Sequence, residues 1–72
     1  MTNNTNEIGN DGMVAWSLAA CARIHGVNIR QIAQHMGITL KRVREVRDSK
    51  EVRAITAWNF VQEIKEIARA AR

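Results

Sequence analysis

The chain has no proline, a single cysteine, and no apolar run near the ~20 residues that a membrane span requires. One cysteine excludes an internal disulfide framework and makes a reducing cytosol the expected compartment, so the protein is expected to be cytoplasmic. The first residues also lack the basic start of a signal peptide. At 72 residues there is room for one small domain, and chains of this size bury only about 60% of the surface that their unfolded state exposes. Self-association is one route to the missing stability. So short a chain has little material for a deep catalytic pocket. An enzyme is therefore not expected, and neither a cofactor nor a small-molecule substrate is anticipated.

What is present is positive charge, unevenly placed. Eleven Lys and Arg against seven Asp and Glu leave +4, a balance that favours an anionic partner. Residues 1–12 hold four Asn, two Gly, two acids and no base, a composition that reads as a disordered leader ahead of a folded domain at 13–72. An arm of the kind that enters a DNA minor groove needs Arg or Lys, and this leader has neither. The base-rich part is 41–53, with six bases and three acids. No repeat appears at a solenoid period.

Periodicity predicts helices throughout. Asp11 or Gly12 is expected to cap a first helix over 13–25 with Val14, Leu18, Cys21 and Ile24 on one face, ended by Gly26. Asn28 caps a second helix over 29–36, with Ile32, Ala33 and Met36 inward, and Gly37 ends it. Thr39 caps a third over 40–48, whose inward positions are Val43 and Val46. Ala57, Phe60, Val61, Ile64, Ile67, Ala68 and Ala71 make a stripe at helical spacing, but Val52 and Ile55 fall off it. That phase break predicts an interruption near 53–56, Thr56 capping the last helix, and a connector or short helix over 49–55. No segment alternates long enough to be a strand. The chain reads as all-α, a four- or five-helix bundle.

Two short helices joined by three residues that include a glycine are the layout of a helix-turn-helix. Counting from Gly37, a small residue (Ala33) falls where the helices cross. Met36 and Ile38 flank the corner, Ile32 precedes it, and Val43 and Val46 lie one turn apart on the inner face. The stretch VNIRQIAQHMGITLKRVREVR resembles the helix-turn-helix of the lambda-repressor/Cro family, over about residues 13–70. With its ITAWNFVQEI tail the chain also looks similar to the small anti-CRISPR-associated autoregulators of phages. The resemblance implies a bundle of lambda-repressor-like type. It also implies a phage or bacterial transcription repressor that binds double-stranded operator DNA as a homodimer. One departure is Ile29, where the family often has Gln; Arg30 or Asn28 would have to supply that contact.

The chemistry of the residues points the same way. Leu40, Lys41, Arg44 and Glu45 are the candidate base readers: Lys and Arg suit guanine O6 and N7, Glu suits cytosine N4, and Leu suits a thymine methyl. Asn28, Arg30, Gln31, Thr39, Arg42, Arg47, Ser49, Lys50 and Arg53 are candidates for the phosphate backbone. Asp48, like Arg42 and Arg47, is expected on a flank of the third helix. The bland alternative is a solvated face of paired charges.

The first helix is apolar nearly all round, which suggests burial on several sides. Trp58, Val61, Ile64 and Ala68 on the last helix are the candidate dimer contact; the alternative is that Trp16 and Trp58 complete a monomer core. Glu63, Lys65, Glu66, Arg69 and Arg72 are expected to face solvent. Cys21, His25 and His35 are too few for a metal site, and the histidines are expected to meet helix-terminal carbonyls. A different class of function also fits: a helical protein-binding module, such as a phage inhibitor or adaptor, with its basic face on an acidic protein. A membrane-surface helix fits poorly, since the last stripe is Ala-rich and its polar face mixes signs.

Overall fold

A computed structural model describes residues 12–71; the expected leader lies, but for Gly12, outside them. In chain order the elements are β1 (Met13–Ala15), α1 (Leu18–His25), α2 (Ile29–Met36), α3 (Leu40–Asp48), β2 (Glu51–Arg53) and α4 (Ala54–Ala70). The described residues are mostly helical, with one two-stranded antiparallel sheet in which Val14 faces Val52. Among them no helix is long and apolar enough to cross a membrane.

Three helices begin on side-chain caps. The Ser17 hydroxyl oxygen accepts from the Ala20 N–H at 3.0 Å, and that of Thr39 accepts from Arg42 N–H at 3.0 Å. At α2 the Asn28 and Gln31 side chains each accept the other's backbone N–H at 2.9 Å, a reciprocal capping box. Both α1 and α2 stop on a glycine with φ of 69°. After α1, Val27 N–H reaches back to Ala22 O at 2.8 Å, and after α2, Ile38 N–H reaches Ala33 O at 3.1 Å. These are two copies of the same left-handed stop, which satisfies carbonyls the helix would leave open.

Leu18, Ile32, Val43 and Ile64 are fully buried, one from each helix, and they define the centre of the core. Ala22, Val27, Ala33, Val46, Val52, Ala57, Phe60 and Ile67 surround them. Trp16 leans on Phe60 with ring centroids 6.2 Å apart.

The structure corrects the expected first and last helices. The first begins at Leu18, capped by Ser17, because Met13–Ala15 pair with Glu51–Arg53 as a strand instead. Gly12 caps nothing there; its carbonyl accepts the Ala54 N–H at 2.8 Å, and Asp11 lies outside the described residues. Val14 and Ile24 do not join Leu18 on the buried face, which Ala22 completes. The phase break is real, but β2 makes it: Val52 turns into the core from the sheet, and α4 starts at Ala54 with no side-chain cap rather than at Thr56. The predominantly α reading holds, with four helices, while the expectation of no strand gives way to a short two-stranded sheet among the described residues.

A Cβ at Gly37 would meet nothing within 4 Å, so substitution there strains only the backbone. Gly37→Ala is expected to lose ~1–2 kcal/mol, the cost of a left-handed L-residue. Urea unfolding should show a lower midpoint at constant slope; an unchanged midpoint would mean that the turn is not held in this conformation.

Candidate nucleic-acid interface

The interface is built on how α3 sits. Val43 and Val46 are buried against the rest of the fold, and α2, which packs against α3, carries a small buried residue at Ala33. At about 100° per residue, that seat turns Lys41, Arg44, Glu45 and Asp48 to the opposite side, at the spacing of one helical face. All four are exposed. Asp48 thus stands within this face, not on its flank.

Leu40 is placed differently from the expectation. It is half-buried and packs against the core, so its side chain closes the start of α3 more than it projects from it. Lys41, Arg44 and Glu45 remain together on the outer face.

The charges divide into engaged and free. Arg42 lies 3.7 Å from Glu45, and Arg47 Nε donates to Asp48 at 3.0 Å. Lys41, Arg44, Lys50, Arg53 and Arg30 make no ion pair among the described residues. Such pairs on an exposed helix contribute little stability, so Arg42 and Arg47 can exchange their partners for another anion at small cost.

The polar candidates divide by hydrogen-bond chemistry. Asn28 and Gln31 use their carbonyl oxygens in the capping box and keep their amide N–H groups to donate. Thr39 accepts at its oxygen and keeps its hydroxyl hydrogen. Ser49 has spent its hydroxyl hydrogen on Glu45 O at 2.8 Å, so it serves as the C-terminal lock of α3. Arg53 stands apart on β2, opposite Met13. Arg47 and Lys50 line a shallow cleft with Ser49, Ala15, Trp16 and Ser17. Sequence reasoning did not place the β1–α1 turn beside these cations, although Ser17 ahead of an apolar run was a readable cap signal.

Elsewhere, His35 Nδ1 and Glu63 Oε1 lie 2.6 Å apart and tie α2 to α4. Glu63 is therefore not simply solvent-facing, and His35 is held by a carboxylate rather than by terminal carbonyls. Trp16 joins the core's edge, whereas Trp58 is 60% exposed. Val61 and Ala68 are half-buried on the same helix. Ile64 is fully buried within the monomer and has no surface for a second chain, which corrects its place among the dimer candidates. No group of three His, Cys, Asp or Glu that could hold a metal occurs among the described residues. Comparisons with protein-family models, curated proteins and solved structures give no match.

Burial pushes the Cys21 thiol above its ordinary range, and the nearby Lys65 ammonium opposes this only in part. The neutral thiol is the less nucleophilic form. Iodoacetamide is therefore expected to alkylate Cys21 more slowly in native protein than in urea at the same pH. The unfolded thiol ionises first, so stability should fall as pH rises through its ordinary range. Equal alkylation rates in both states would contradict the assignment.

Proposed function

We propose that this chain is a sequence-specific, double-stranded-DNA-binding regulator of helix-turn-helix type, a homodimeric repressor acting on its own promoter. In this reading the α2–turn–α3 unit is the reading head and α3 lies in the major groove. The observation that carries it is the α3 face itself. Lys41, Arg44 and Glu45 stand exposed together over a fully inward Val43–Val46 seat, on a helix capped at its start and locked at its end. The resemblance of residues 27–47 to the lambda-repressor/Cro family supports the same reading.

Lys41 and Arg44 donate to guanine edges and Glu45 accepts from cytosine. Lys50, Arg30, Thr39 and the amide groups of Asn28 and Gln31 hold phosphates and set the register. Arg42 and Arg47 join them by leaving their acidic neighbours. A dimer contact on the exposed flank of α4, through Trp58, Val61 and Ala68, presents two α3 helices to half-sites about 34 Å apart.

Selection from random duplexes at about 150 mM salt, where purely electrostatic binding is weakened, tests this directly. An inverted repeat should be enriched. A folded protein that enriches nothing would overturn the reading in favour of a module docking its basic face on an acidic protein.

Two variants separate base reading from phosphate binding. Arg44→Ala is expected to lose ~1–3 kcal/mol and relax preference at one base pair per half-site. Lys50→Ala should weaken all sequences alike and lower the slope of log affinity against log salt by about one. Binding titrations on operator and random duplex read both. Equal loss on the two duplexes for Arg44→Ala would remove it from the base-reading set.

A further inference from the structure

Each flank of α4 is bordered by a different helix. On one side α2 packs alongside: Glu63 holds His35, and a cleft between Gln31, Gln34, His35, Ile67, Ala70 and Ala71 follows the joint. On the other side α4 borders α1, where the Lys65 charge acts on Cys21 and His25 shares a cleft with Lys65, Ala68 and Arg69. Trp58, Val61, Lys65 and Ala68 follow one another along this second flank at helical spacing.

The second flank carries a projection and a hollow. The projection is the Trp58 indole, 60% exposed near the start of the helix. The hollow is the His25–Lys65–Ala68–Arg69 cleft near its end, where α1 also ends. Ten residues separate Trp58 from Ala68, about 15 Å along the helix axis. Trp58 is the largest exposed hydrophobic side chain among the described residues, and tryptophan is a residue type enriched at protein contacts.

We infer that this flank is an isologous interface in which two copies pack α4 against α4 in antiparallel sense, each Trp58 entering the other's His25–Lys65–Ala68–Arg69 cleft. A two-fold axis crossing α4 midway between Trp58 and Ala68 satisfies both contacts at once, because in such an interface a residue that touches a second is touched by its copy in turn. Ala68 supplies the small floor. Lys65 and Arg69 bring cations to the negative face of the indole, which is the charge match that selects an aromatic for this cleft. Near the axis Val61 lies under the aliphatic stem of the partner's Lys65. The occupant is a second copy because one chain holds both halves of the fit, on one flank, at a spacing that the antiparallel arrangement reproduces. This geometry rests on the dimeric reading above and specifies its contact.

The test is the mass of the full chain in solution, without DNA, over a concentration series by sedimentation equilibrium. The wild type should be a dimer. Trp58→Ala, at an exposed site, should keep its helical circular dichroism and weaken self-association at least roughly thirtyfold, the loss typical of a central aromatic anchor. Lys65→Glu should weaken it as well, by removing a cation from the indole face. Ala68→Trp fills the hollow and should also dissociate the dimer. Mixing Trp58→Ala with Ala68→Trp should restore a heterodimer, since one projection and one hollow remain intact between them.

A monomeric wild type, or dimers that survive both Trp58→Ala and Ala68→Trp, would overturn the interface. Failure of the mixture to re-associate would overturn its reciprocal geometry. A monomer that still enriches a DNA sequence would sink this contact alone. A dimer that enriches none would leave the contact standing and sink the DNA reading.

Discussion

The seating of α3 on α2 is the constraint from which the rest of the candidate interface follows. Of nine residues in α3 only Val43 and Val46 are buried, and Leu40 is half-buried at its start. A helix so short is not stable alone in water. It persists because two valines are held against the core, Thr39 fixes its first turn, and Ser49 closes its last. Gly37 makes that seat reachable: its left-handed backbone reverses the chain in three residues while Ile38 N–H returns to Ala33 O. Once the two valines and Leu40 are placed, the other positions of the helix are free to carry charge.

The parts of the fold readable in advance are those whose determinants are local. Asn28, Gly37 and Thr39 act on residues three or four positions away, so the bounds of α2 and α3 could be read from spacing. The largest misreading of the fold involves a partner distant in the chain. Met13–Ala15 looked like the first turn of a helix because Trp16, Leu18 and the alanines that follow are apolar all round. Those residues in fact serve two environments, a sheet and a core, and three-residue strands are too short for alternation to register. Val52 and Ile55 did reveal that something interrupts the chain, but not that residues nearly forty positions earlier complete it.

The site shows the same division. Lys41, Arg44 and Glu45 could be set opposite Val43 and Val46 by counting alone. Counting places Leu40 with the base readers, but its wheel position lies between the two faces and only packing decides. Ile64 fell on the same stripe as Val61 and Ala68, yet it occupies the centre of the stripe and they occupy its edge. Periodicity finds a face; it does not say how far the neighbouring elements wrap around it. The Glu63–His35 pair spans 28 residues and carries no local signal at all.

The short sheet has a consequence out of proportion to its six residues. α4 has no side-chain cap, and its first N–H, on Ala54, donates instead to the Gly12 carbonyl. Strand pairing therefore does for α4 what Ser17, Asn28 and Thr39 do for the other helices: it satisfies a donor that the helix itself leaves open. It also shortens the path between the two candidate surfaces. Only Ser49 and Lys50 separate α3 from β2, and α4 follows β2 without a break. Along that path Val52 is buried beneath the sheet and the Ser49 hydroxyl is bonded to Glu45 O of α3. In the proposed dimer a contact on α4 would set the orientation of α3 through this short connection, as a two-fold reader of evenly spaced half-sites requires.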